Sequence, residues 1–238
     1  MNNLELININ KKSLFIDLSD DEVKKHFNNP SNYSIHITNQ INNGGCDNLI
    51  PLIPENAICI DIGANVGLIS LWMAEKCNVI YALEPNKSNF SILQKIITGY
   101  DNIKPLKIAL NNQDESVRFY ECDFNSTMNS LIDFSSKNNY EEVCGVRLDS
   151  FIKEIQKDII DFVKIDIEGS EIISLNEEIL SNCKNIIKSY YLEIHDTFEI
   201  NNKGQYGNLE TFNSIFKNLG YNSEQITHQV DNTTMLYY

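Results

Sequence analysis

The chain has 238 residues, of which 42% are hydrophobic and 10% aromatic, enough for one domain with a full core and at most an elaborated N-terminus. Its 19 Lys and Arg against 33 Asp and Glu give a net charge of −14 and a sequence pI near 4.6. That balance speaks against a nucleic-acid or anionic-membrane partner, which would need clustered basic residues, and Arg118 and Arg147 are the only arginines.

The start, Met1 to Leu6, shows no basic stretch followed by an apolar one, and no segment approaches the roughly 18 apolar residues of a membrane span. A cytoplasmic protein is expected. Residues 1–55 are weakly patterned and read as an N-terminal cap. They hold apolar stretches at Leu4–Ile9 and Leu14–Leu18, a short helix after Ser19-Asp20-Asp21-Glu22, and a candidate strand over Tyr33–Thr38. Asn42-Asn43-Gly44-Gly45 then interrupts the chain, and Pro51 and Pro54 lead into the next element. The six cysteines (Cys46, Cys59, Cys77, Cys122, Cys144, Cys183) form no C-x-x-C pair and read as reduced, small apolar residues.

Residues 56–238 read as one α/β domain, in which short apolar runs alternate with amphipathic stretches. The pattern predicts strands near 57–62, 78–83, 103–110, 160–167, 186–194, 221–227 and 233–238. Helices are predicted near 66–76, 87–98, 148–157, 171–181 and 208–219. The last two strands are separated by a tight turn at Asp231-Asn232 and should be antiparallel. The sum is a doubly wound, seven-stranded, mostly parallel sheet ending in an antiparallel hairpin, in a three-layer α/β/α arrangement. Between Gln113 and Gly145 the alternation lapses into an extra strand near Ser116–Glu121 and a polar loop over Asn125–Ser136, an insertion placed to act as a lid.

The most informative stretch is Ile60-Asp61-Ile62-Gly63-Ala64-Asn65-Val66-Gly67, between the first strand of the domain and its helix. The dinucleotide fingerprint G-x-G-x-x-G fails, since its second glycine would fall on Asn65 and its third on Leu68, and no Gly-Lys-Ser/Thr follows for a phosphate loop. Asp61 ends the first strand and Glu84 the next, where a ribose diol is held in nucleotide-binding sheets. This fits a nucleoside ligand without a pyrophosphate, neutral or cationic, with a free ribose. S-adenosylmethionine (SAM), with a sulfonium, an ammonium and both ribose hydroxyls, meets that description.

The motifs resemble those of class I SAM-dependent methyltransferases, and Asp61-x-Gly63-Ala64-Asn65-x-Gly67 is similar to the form used by the FkbM family. The resemblance continues through Leu83-Glu84-Pro85-Asn86, Ile108-Ala109-Leu110, Arg147-Leu148-Asp149-Ser150-Phe151, Val163 to Glu171, and Leu192-Glu193-Ile194-His195. It implies a Rossmann-like fold and SAM as cofactor, with S-adenosylhomocysteine as product. It further implies that Gly63, Asn65 and Gly67 shape the methionine pocket, that Glu84 binds the ribose, and that Pro85 and Asn86 border the adenosine, with Asp61, Ala64, Ala109 and Asp166 also on the cofactor.

In Phe162 to Glu168, strand alternation puts Lys164, Asp166 and Glu168 on one face, an unusual load for a central parallel strand. A self-neutralising structural network around Lys164 is the alternative to a functional cluster. The next strand carries Tyr191, Glu193 and His195 on one face, so the two tips should bring Asp166, Glu168, Glu193 and His195 to one crevice. Methyl transfer to a hydroxyl needs alignment and removal of a proton. His195 oriented by Glu193 is the first choice of base, with Asp166 and Glu168 second. Asp149, Asp166, Glu168, Glu193 and His195 could supply ligands to a divalent cation, but no spacing specifies one, and no metal is expected.

The Asp/Asn-Pro-Pro-Tyr/Phe motif of amino-group nucleic-acid methyltransferases is absent, with Asp166-Ile167-Glu168-Gly169 in its place. The expectation is an O-methyltransferase acting on a hydroxyl of a sugar, glycan or other small natural-product intermediate. The alternatives are N-methylation of a peptide or amine, or a non-catalytic SAM-binding module. A homodimer is compatible with the sequence.

Overall fold

A computed structural model describes residues 4–9, 12–17, 49–121, 129–133, 139–195, 208–222, 224–226 and 233–237. The candidate helix after Glu22, the strand over Tyr33–Thr38, the Asp231-Asn232 turn, Cys46 and Cys122 lie outside these residues. Twelve strands are present among them: β1 (Leu4–Ile9), β2 (Lys12–Asp17), β3 (Ala57–Ile62), β4 (Cys77–Leu83), β5 (Ile103–Leu106), β6 (Ile108–Leu110), β7 (Glu115–Tyr120), β8 (Tyr140–Val146), β9 (Phe162–Ile165), β10 (Tyr190–His195), β11 (Glu224–Ile226) and β12 (Thr233–Tyr237). The helices are α1 (Leu68–Met73), α2 (Lys87–Ile96), α3 (Leu148–Ile155), α4 (Glu171–Ser174), α5 (Glu177–Cys183) and α6 (Asn208–Asn218). None of these helices is long and apolar enough to cross a membrane.

The main sheet runs β11-β12-β10-β9-β3-β4-β5. Its neighbours from β10 to β5 are all parallel, whereas β12 is antiparallel to both β10 and β11. Buried residues of α1 and α2 form one core with Ala57, Cys59, Ile80 and Phe162 of the sheet. Those of α3, α5 and α6 form a second core with Ile60, Ile62, Val163 and Ile165. Alternate strand residues therefore feed opposite faces, which makes the doubly wound, three-layer arrangement expected of near-continuous apolar strands. The chain leaves β3 toward β4 and β5, then returns to lay β9 on the other side of β3. This reversal opens a crevice at the carboxyl ends of β3 and β9, where such sheets bind ligands.

The structure corrects several predicted boundaries, and its strands exceed the seven expected. The strand predicted over 103–110 breaks at Lys107: β5 stays beside β4, while β6 leaves to pair in parallel with β8 in a second sheet of order β6-β8-β7. The insertion thus builds a three-stranded sheet of its own. The predicted strand 160–167 contributes only Phe162–Ile165, so Asp166 and Glu168 sit in the turn beyond it. The predicted helix 171–181 is two helices, because Leu175 is extended and Asn176 caps α5 by accepting from the Ile179 N–H at 2.9 Å. At the N-terminus, β1 and β2 form an antiparallel pair.

Candidate active site

The turn after β3 is clasped to the end of β4. The Gly63 and Ala64 N–H groups donate to the Leu83 carbonyl at 3.0 and 2.9 Å, and the Asn65 N–H donates to Glu84 Oε2 at 2.8 Å. Asn65 holds φ +52, a left-handed conformation that asparagine tolerates better than other non-glycine residues. Gly63, at φ +75, has a stricter requirement: a Cβ there would lie 1.8 Å from the Asp166 carbonyl oxygen. The turn after β9 therefore packs directly on the turn after β3.

Glu84 is 4% exposed and also accepts from the Asn86 N–H at 2.9 Å, so its carboxylate bridges the two loops. Burial pushes its pKa up to about 7, against the pull of the Asn86 and Asn65 N–H groups. Asn86 itself caps α2 through the Asn89 N–H at 3.0 Å and donates to Glu121 Oε1 at 3.0 Å, tying the second sheet to this loop.

Lys164, 4% exposed, donates to the Gly63 carbonyl at 3.0 Å and lies 3.4 Å from Asp61 Oδ1 and 3.3 Å from Asp166 Oδ2. Burial disfavours its charge, yet Asp166 and Asp61 hold its pKa above the ordinary lysine value. Asp61 is fully buried and accepts from the Ser70 hydroxyl at 2.5 Å. This is the self-neutralising network considered from sequence, and it lies under the turn as its foundation.

Beyond it stands a second charged group. His195 is 4% exposed, with Nδ1 3.2 Å from Glu171 Oε1 and Nε2 3.4 Å from Glu168 Oε2. Burial lowers the pKa of His195, but the carboxylates of Glu171, Glu168 and Glu193 overcome it and hold the imidazole well above its usual value. Burial likewise raises Glu168 and Glu193, opposed by His195 and reinforced by Asp166. Asp166, Glu168 and His195 each offer one ligand atom, and these atoms lie within 4.8 Å of one another. The Glu168–His195 contact makes the arrangement an ion pair first. Asp149, grouped with them from sequence, is held elsewhere by Arg147 through two bonds of 3.0 Å, which with Asn182 keep its pKa down at about 2.

A cleft of about 560 Å³ runs along these tips. Gly63, Asn65, Glu84, Pro85, Ala109, Asp166 and Glu168 of the predicted residues line it. Asp61, Ala64, Gly67, Asn86, Glu193 and His195 do not: the first four support the loops, and His195 stands behind Glu168. The wall also includes residues with no assigned role in the sequence reading, among them Asn89, Phe119, Leu131 and Ser170. Phe119 and Leu131 belong to the insertion expected as a lid, within which no motif singled out these two residues. That segment is strapped to the turn after β9, with the Ser130 hydroxyl 2.7 Å from that of Ser170 and donating to the Glu168 carbonyl at 2.9 Å. Glu171 was also unassigned; its position three residues past Glu168, at the start of α4, was the available signal.

The donor set suits the cofactor read from sequence. An apolar wall (Ile108, Leu110, Phe119, Leu131) can take a flat base, Glu84 can accept from a diol, and the acids past β9 face the end where a cation would lie.

Residues 61–223 match the model of a family described as the methyltransferase FkbM domain. Among solved structures, the chain is similar to the methyltransferase FkbM from Methylobacillus flagellatus KT, at 16% identity and a TM-score of 0.50, over 92% of this chain and 56% of that one. It is also similar to a SAM-dependent methyltransferase from Aquifex aeolicus, at 13% identity and a TM-score of 0.47, over 80% and 86%. A protein of M. jannaschii solved in complex with AdoMet shares 11% identity, with a TM-score of 0.44 over 100% and 84%. No curated protein matches this chain.

Proposed function

The chain belongs to the FkbM methyltransferase family and uses SAM, and from that premise we propose that it methylates a hydroxyl of a sugar, glycan or other small neutral molecule. The bound cofactor supplies a methyl group made electrophilic by the sulfonium. The protein's own part is to hold the ends of the cleft and to take the acceptor's proton. Glu84, fixed by the Asn65 and Asn86 N–H groups, accepts from the ribose diol. The apolar wall and the strapped insertion exclude water from the base.

The observation that carries the reading is the Glu168–His195 pair at 3.4 Å, with Glu168 on the cleft wall and His195 behind it. Glu168 takes the hydroxyl proton in its ionised form, which burial disfavours and the cation of His195 favours. This reverses the order expected from sequence, where His195 was first choice, because His195 is buried and already holds its own proton. A reading as an amine methyltransferase draws on Asp166 and Glu168, the acids on the cleft wall that a cationic acceptor would meet.

A panel of sugars, glycans and amines, scored by release of S-adenosylhomocysteine, separates the two. Turnover on neutral hydroxyl compounds is expected, and turnover confined to amines overturns the proposal. Glu168→Gln should lower kcat by about 100-fold or more with SAM affinity retained.

A further inference from the structure

We propose that Glu171, which faces His195 but not the cleft, is the positioning residue of this site, fixing the imidazole so that Nε2 meets Glu168. The proposal deepens the reading of Glu168 as proton acceptor and rests on it for its catalytic meaning, but its geometry stands apart from any substrate.

Glu171 is fully buried. Its Oε1 accepts from the Ile167 N–H at 3.1 Å and the Gly169 N–H at 3.3 Å, and the same oxygen lies 3.2 Å from His195 Nδ1. One carboxylate thus holds both the turn that presents Glu168, where Glu168 and Gly169 take φ +53 and +85, and the ring that backs it. A carboxylate at Nδ1 keeps the proton on that nitrogen and directs Nε2 outward, the means by which buried acids orient working histidines generally. Among the described residues Glu171 Oε2 has no hydrogen-bond partner, so the contacts of Oε1 hold the carboxylate. The charged groups facing the ring are Glu171 from α4, Glu168 and Asp166 from the turn after β9, and Glu193 from its own strand. Glu193, the orienting residue expected from sequence, acts on His195 through its charge, while the two ring nitrogens face Glu171 and Glu168.

The test is the ring titration of His195 by NMR in the folded, acceptor-free protein, with the signals of the four histidines assigned by a His195→Asn variant. Glu171→Gln keeps an acceptor for the two N–H groups but removes the charge, and is expected to lower the affinity of His195 for its proton at least tenfold. Glu193→Gln should move it less. In the wild-type protein a protected Nδ1 proton signal from His195 is expected, which keeps the test available if the Gln variant does not fold. An unshifted titration in folded Glu171→Gln, a larger shift in Glu193→Gln, or a His195 protonated only at Nε2 overturns the proposal. None of these readings needs methyl transfer, so a failure to methylate any hydroxyl would refute the proposed function and leave this assignment standing. With an acceptor in hand, Glu171→Gln should lower kcat and move its pH profile with KM little changed, and Glu171→Asp should restore part of the rate.

Discussion

At the scale of single residues, the balance around each buried carboxylate sets the behaviour of the site. For Glu84 burial outweighs two N–H groups, the Asn89 side chain and the charge of Lys164, and carries its pKa to about 7. The ribose contact proposed for it needs the carboxylate, which is present above that pKa and lost below it. SAM affinity, measured by calorimetry, should therefore fall as the pH drops from 8 to 6, and binding near pH 7 should release protons. Glu84→Gln should weaken binding by about 10–100-fold and remove most of that dependence, because a hydrogen bond to a charged group contributes roughly 1.5–3 kcal/mol. Lys164 shows the opposite balance, since two acids flank it within 3.4 Å and keep it charged in a buried site.

At the scale of elements, the positions of the parallel strands and the first βα turn were legible because their signals are local. Short apolar runs fix the strands, and Asp61 to Gly67 announces its own turn. The break at Lys107 was not legible, because it depends on β8, about forty residues later, capturing Ile108–Leu110. The alternation that put Lys164, Asp166 and Glu168 on one strand face also misled, since the strand ends at Ile165 and a left-handed Glu168-Gly169 pair turns the chain. Asp166 and Glu168 line the cleft, but from a turn held by Glu171 and not from the strand face. The tight seat of Gly63 on the Asp166 carbonyl has an energetic consequence. Gly63→Ala should destabilise the fold by about 2–4 kcal/mol in denaturant unfolding, from left-handed strain and the forced separation of two turns. Loss of SAM binding in that variant without loss of stability would mean that the turn is seated otherwise.

At the scale of the whole molecule, the net charge of −14 first served to disfavour nucleic acid and membranes as partners. The structure places part of that charge on one crevice, at Glu84, Asp166 and Glu168, with Glu171, Glu193, His195 and Lys164 behind its wall. Carboxyl groups whose folded pKa lies above the ordinary value stabilise the fold fully below the unfolded pKa and lose that contribution as pH rises through the folded one. Glu84, Glu168 and Glu193 are of this kind, and the raised His195 runs in the same direction. The melting temperature of the cofactor-free protein should therefore decline from about pH 5 toward pH 9, and bound SAM, a cation at this site, should reduce the decline. A melting temperature that rises over that interval would contradict the charge balance described here.

The central claim is that the transferred methyl ends on oxygen. It is tested most directly by supplying SAM carrying a carbon-13 methyl group and reading the carbon shift of that methyl in the isolated product. A signal in the methyl ether range, coupled through the oxygen to a sugar or polyol carbon, is the expected result. A signal in the N-methyl range, coupled to an amine-bearing carbon, would contradict it.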